Sequence, residues 1–115
     1  MASNTTKHYT ASHRFARIAP RKARLVADMI RGKGIEDALA TLEFSPRRGA
    51  WFIKSVLRSA IANAEEANLD IGRLFVSESR VDEGPTIKRF QPKDRGRSHP
   101  IMKRTSHIHV SVDVR

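Results

Sequence analysis

The sequence predicts an α+β fold that carries a long basic β-hairpin. Three observations lead there. Apolar residues recur at helical spacing in three stretches between residues 20 and 66, and the period changes to two after Arg73. Between the two alternating segments lies a stretch poor in apolar residues and rich in cations. Helices gathered in one half and strands in the other read as α+β rather than as alternating β-α-β units.

Met1 to Thr6 reads as a flexible lead, and His8 to Ile18 as an extended, weakly alternating segment. Pro20 suits the first position of a helix, where its missing N–H costs nothing. Lys22, Leu25, Val26, Met29 and Ile30 then follow helical spacing. Gly32-Lys33-Gly34 ends that helix, since glycine accepts a left-handed conformation. Ile35, Ala38, Leu39 and Leu42 give a short second helix. Ser45 as N-cap and Pro46 in the first turn predict the start of a third.

The third helix is the longest. Ala50, Ile53, Leu57, Ala60, Ile61 and Ala64 make one core face, whose alanines allow close approach of a neighbour. Trp51 and Phe52 add bulk beside it, with Trp51 read as packing rather than as a base-stacking platform. Asn68 to Gly72 is a loop. Leu74 and Val76 share one side of the strand that follows, with Phe75 and Val81 on the other. At the far end Ile108, Val110, Val112 and Val114 alternate with His107, His109, Ser111 and Asp113, the pattern of a half-buried strand.

From Gly84 to Thr105 the apolar residues are Ile87, Phe90, Ile101 and Met102, and Pro92, Gly96 and Pro100 are turn-forming. If the flanking strands continue outward, the turn falls near Asp94 to Arg97. Each arm is then about 10 residues, roughly 30 Å at 3.3 Å per residue. An isolated two-stranded ribbon is marginal in water, so such an arm is expected to need a polyanionic wall.

The charge supports that reading. The chain has 22 Lys+Arg against 12 Asp+Glu, net +10, within 115 residues of which 39% are hydrophobic. This is enough for one small core. His8 to Lys33 nets +6, Lys88 to Arg104 nets +6, and the remainder nets −2. A merely soluble surface mixes the two signs; segregated cations attract a polyanion. Nucleic acid leads, and an anionic membrane surface follows. The chain has no cysteine, which excludes a disulfide scaffold and a thiolate zinc site. No apolar run is long enough to span a membrane, and the polar Met1 to Thr10 leads us to expect no secretory signal.

Other readings fit less. A helix-turn-helix at Pro20 to Leu42 leaves the basic ribbon unexplained. His107 and His109 share a strand face, but no third metal ligand is near, and a nuclease built on them has little else to use. Glu65-Glu66 and Asp82-Glu83 are sequence neighbours, not facing acid/base pairs. Gly32-Lys33-Gly34 lacks the spacing of a phosphate-binding loop.

Four collinear blocks carry a family resemblance: Arg17 to Gly32 (RIAPRKARLVADMIRG), Ser59 to Glu65 (SAIANAE), Val81 to Pro85 (VDEGP) and Lys103 to Ile108 (KRTSHI). They resemble the ribosomal protein L twenty-two family of the bacterial large subunit, from about His8 to Val114. The resemblance implies three helices packed on a small three-stranded antiparallel sheet, with a long protruding β-hairpin. It implies a flexible lead at 1–7 and a single domain at 8–115, with the arm at about 84–105. It also implies a cytoplasmic protein of the large ribosomal subunit with no catalytic residue and no cofactor. The expected partners are 23S rRNA, neighbouring large-subunit proteins and the nascent polypeptide, with no membrane and no homo-oligomer. The family bridges rRNA domains during assembly, and its hairpin lines the peptide exit tunnel near where macrolides bind.

Charge and resemblance together give the expected rRNA contacts. They are Arg14, Arg17, Arg21, Lys22, Arg24 and Lys33 in the first basic segment. In the second they are Lys88, Arg89, Lys93, Arg95, Gly96, Arg97, His99, Lys103 and Arg104, followed by Thr105, Ser106 and His107. The tunnel-lining tip is Lys93, Asp94, Arg95, Gly96 and Arg97. The tip departs from the family pattern at Lys93-Asp94, where the family usually has an arginine and a small residue, and at His99-Pro100. Asp94 among phosphates is unfavourable unless Lys93, Arg95 or Arg97 pairs with it.

Overall fold

The computed structural model describes residues 9–93 and 97–114, with side chains for 9–86 and 103–114. The expected lead at 1–7 and the tip residues Asp94, Arg95 and Gly96 lie outside the described residues.

The elements run β1 (Tyr9–Ala16), α1 (Pro20–Ile30), α2 (Ile35–Phe44), α3 (Arg48–Glu66), a short 3-10 turn (Ile71–Arg73), β2 (Leu74–Glu83), β3 (Ile87–Lys93), β4 (Arg97–Lys103) and β5 (Ser106–Val114). β5 lies between β1 and β2 in a three-stranded antiparallel sheet, and β3 pairs with β4 in a separate two-stranded one. The α+β class, the three helices and the antiparallel sheet are as the sequence predicts.

α1 and α3 cover one face of the sheet, and α2 closes the side. The core joins Val26, Ala27 and Ile30 of α1, Ile53, Leu57 and Ala60 of α3, and Leu74, Val76, Ile108, Val110 and Val112 of the sheet. Small residues set the closeness of the helices. A Cβ at Gly49 in α3 would sit 3.2 Å from Val26 Cγ2. The α1–α2 loop is pinned to the edge of β2 by Gly32 N donating to the Val76 carbonyl and Val76 N donating to the Lys33 carbonyl, each 2.9 Å. Gly32 has φ +83°, the left-handed conformation expected of it. Asn68 (φ +60°) ends α3 in the same way, with its N–H on the Glu65 carbonyl and Leu69 N–H on that of Ala64.

Several expectations need correction. Leu25 and Met29 are exposed, because Ala23, Val26, Ala27 and Ile30 form the inward stripe of α1. Small alanines take the inside where α1 must approach its neighbours. Ser45 is the C-cap of α2, and α3 starts at Arg48 with Arg47 as N-cap. Trp51 is 67% exposed, touching the buried Phe52 edge-on, so it is not core. Val81 faces the core together with Leu74 and Val76, not opposite them. The register against β5 shifts between Val76 and Glu78, so Ser77 is an extra residue that reverses the alternation beyond it. β5 is buried on both faces over Val110 to Asp113, more than half-buried, because it is the central strand; Val114 at its end is exposed.

β3 and β4 pair from Ile87 with Lys103 to Lys93 with Arg97. Pro92 and Pro100 stand inside these strands rather than in turns. Each strand of a two-stranded ribbon has a free edge, and there a residue without an N–H is tolerated. Among the described residues neither strand packs substantially on any element but the other.

Candidate nucleic-acid interface

Where the arm meets the body, a groove of about 840 Å³ opens between the starts of α1 and α3. Six cations line it: Arg17 and Lys22 at the start of α1, Arg47 and Arg48 at the start of α3, and Lys103 and Arg104 at the root of β4. Ile18, Ala19, Leu25 and Gly49 supply its apolar wall. Sequence positions as far apart as 17, 48 and 104 converge here because Ser106 Oγ donates to the Ile18 carbonyl (2.6 Å), tying the β4–β5 link to the entry of α1. Gly49 lets α3 close against α1 from the other side.

None of these six side chains forms an ion pair with a described carboxylate. Asp28, Glu43, Glu78 and Asp82 pair elsewhere. The hydrogen bond from Lys54 holds the Glu43 carboxyl below its ordinary range, and the bond to Glu78, aided by the charge of Asp82, raises Arg80. The helix starts add to the positive potential. Neither α1 nor α3 has a side-chain N-cap bond or an acid in its first turn. The positive end of each helix dipole therefore lies beside the groove, with no acid in the first turn to offset it. Like charges lining one groove repel in the free protein, so the arrangement is suited to hold an anion.

Of the expected contacts, Arg17, Lys22, Lys103 and Arg104 meet in this groove. Arg14 and Arg21 are exposed outside its lining. Arg24 Nε donates to the Val81 carbonyl (3.1 Å) and Lys33 Nζ to Thr41 Oγ1 (3.1 Å), so both also brace the fold. Thr105 and Ser106 are buried, and their hydroxyls are engaged within the chain, Thr105 with the Pro85 carbonyl (2.6 Å). His107 Nδ1 accepts from Phe15 N (3.1 Å). His109 bonds Ser12 Oγ through Nδ1 (2.7 Å), and its Nε2 lies 3.3 Å from Asp82. Lys88, Arg89, Lys93, Arg97 and His99 lie on the ribbon at known register positions, with Arg95, Gly96 and Asp94 outside the described residues.

Sequence reasoning missed Arg47 and Arg48, which fell in the net-negative remainder of the chain. A signal was present. Two arginines after Pro46, at a helix start where acids are favoured, oppose the dipole and point to a bound anion.

The arm leaves the body at a tight joint. Gly84 N donates to the Thr105 carbonyl (2.9 Å), and a Cβ at position 84 would lie 2.5 Å from Thr105 Oγ1. Only glycine fits there without displacement.

The family model described as ribosomal protein L22p/L17e matches residues 11–113. The chain is similar to the large ribosomal subunit protein uL22 of Ligilactobacillus salivarius, at 54% identity over 106 residues, covering 91% of this chain and 92% of that one. It is similar to the protein of the same name from Lacticaseibacillus casei, at 56% identity with 90% and 89% covered. The one from Desulfosudis oleivorans is 50% identical, with 88% and 89% covered.

Proposed function

This chain belongs to the ribosomal protein L22p/L17e family, a structural and non-enzymatic one, and on that premise we propose that it works in the large ribosomal subunit by binding 23S rRNA. It is a cytoplasmic structural constituent of that particle. The groove between α1, α3 and the root of β4 takes backbone phosphates, and Lys88, Arg89, Lys93, Arg95, Arg97 and His99 of the arm contact RNA along its length. A body and an arm that engage separate stretches of RNA bridge rRNA domains during assembly. The arm reaches the nascent-peptide exit tunnel, with Lys93 to Arg97 as its lining tip. Residues 8–115 act as one domain with its arm at about 84–105, preceded by a flexible lead at 1–7. Its partners are 23S rRNA, neighbouring large-subunit proteins and the nascent chain; it acts as a single copy and away from membranes.

The observation that carries this reading is the groove: six converging cations, two uncapped helix starts and no described acid to neutralise them. Recognition there is by charge and shape, since phosphate contacts fix register without reading sequence. Sedimentation tests it. The protein is expected to stay with large subunits through a high-salt wash, and recovery only in the soluble fraction would contradict it.

A further inference from the structure

Phe15 is an anomaly in β1. It is 58% exposed and has φ +58°, a conformation that a bulky L-residue rarely adopts. It sits where the pairing of β1 with β5 shifts register between His13 and Ala16. The bulge is held in place. Phe15 N donates to His107 Nδ1 (3.1 Å), and the two rings meet edge to face, centroids 4.9 Å apart at 85°. His107 is itself confined on its other side, since a Cβ at Gly84 would lie 3.3 Å from its Nε2.

The fold thus keeps a strained backbone and supports the ring it presents, yet leaves that ring in solvent. Burial does not explain this, and a glycine would take the same turn without strain. Strain kept by supporting contacts is characteristic of ligand sites. The surroundings say which ligand. Arg14 is exposed beside Phe15 in the chain, and Arg17, two residues on, lines the cationic groove. An exposed aromatic face among phosphate-binding cations, at the joint where the arm departs, suits an unpaired nucleobase stacked on the ring.

We propose that Phe15, braced by His107, is a stacking platform for one unstacked base of the bound RNA. This rests on the rRNA-binding reading above and adds to it a contact that charge alone does not supply. A purely electrostatic interface has no use for an exposed phenyl ring held in a left-handed turn.

Stacking and phosphate contacts separate by salt dependence. The full chain is titrated with a 23S rRNA transcript over a range of salt concentrations. Phe15→Leu keeps apolar bulk and loses the ring. It is expected to bind about tenfold more weakly at every salt with the salt slope unchanged, because no counterion-releasing contact is lost. Phe15→Tyr restores affinity. Phe15→Gly adopts the turn without strain, so it melts within a few degrees of the unsubstituted chain yet binds at least as weakly as Phe15→Leu, which separates binding from folding. Ultraviolet cross-linking of the complex is expected to join RNA to the peptide containing Phe15. If the unsubstituted chain binds and Phe15→Leu is indistinguishable from it, or loses affinity only with a changed slope, the platform is overturned and the rRNA-binding reading survives. If the unsubstituted chain does not bind the transcript, both are overturned.

Discussion

β5 and β4 are consecutive strands, each in an antiparallel ladder, and only two residues separate them. Their surroundings differ. β5 has a partner on each side and helices behind it, and its residues from Ser106 to Asp113 are buried or half-buried. β4 has one partner, β3, and no described element packs substantially behind either. The body holds its shape by removing apolar surface from water. The ribbon has backbone pairing, a net charge of +6 over Lys88 to Arg104 and few apolar residues. One chain therefore specifies shape in two ways, by burial in the body and by charge matched to an outside surface in the arm.

Substitutions sharpen that contrast. The largest effect on stability is expected in the body. Leu57, fully buried in α3, should cost about 2–5 kcal/mol on truncation to alanine, measured by urea denaturation. Removing residues Lys93 to His99 should leave that same transition in place, since the described core draws on other elements. It should lower the salt slope of rRNA binding by about 2–3, for the loss of the three cations Lys93, Arg95 and Arg97. Loss of cooperative unfolding in this deletion would break the contrast.

The joint between the two regions comes next. Gly84→Ala puts a methyl group 2.5 Å from Thr105 Oγ1 and should destabilise the chain by about 1–3 kcal/mol. Pairing it with Thr105→Ser tests whether the clash is local: the hydroxyl that crowds position 84 remains in serine, so the double variant should recover little.

Arg47→Asp in the groove should separate folding from binding. An aspartate at the N-cap of α3 supplies the missing cap and suits the dipole, so the free protein should gain about 1 kcal/mol. RNA affinity should fall, with a slope smaller by about 0.7–0.9. Equal losses in stability and affinity would mean that Arg47 belongs to the fold rather than to the interface. The smallest effect is expected at the pair of exposed Glu43 with half-buried Lys54. Pairing lowers the Glu43 pKa, so its contribution is present above the unfolded-state value and is lost as pH falls through the lower folded one. Thermal melts of Glu43→Gln and the unsubstituted chain should converge on acidification and differ only slightly at neutral pH.

The body was largely legible in sequence. Helical spacing found six buried positions of α3, because they follow one period, and missed Val56, which widens the same inner face. The same rule found α1 but did not separate Leu25 and Met29, which are exposed, from Val26 and Ile30, which share the inside with Ala23 and Ala27. Alternation found β2 but placed Val81 on the wrong face, because Ser77 looks like any other residue in a period-two pattern and nothing local marks a bulge. Charge segregation picked out Arg17, Lys22, Lys103 and Arg104 without showing that they share one groove. Arg47 and Arg48 complete that groove from a segment whose net charge hid them. Phe15 left no trace in a one-dimensional reading, since its role depends on a dihedral angle and on a histidine 92 residues away.

Amide hydrogen exchange on the free protein and on its complex with 23S rRNA tests most directly whether the arm is shaped by its partner. In the free protein, the amides of β5 that bond β2 should exchange only on global unfolding, and those pairing β3 with β4 should exchange orders of magnitude faster. Adding rRNA should slow the β3–β4 amides most. Exchange of β3 and β4 as slow as that of β5 without RNA, or unchanged when RNA binds, would contradict the account.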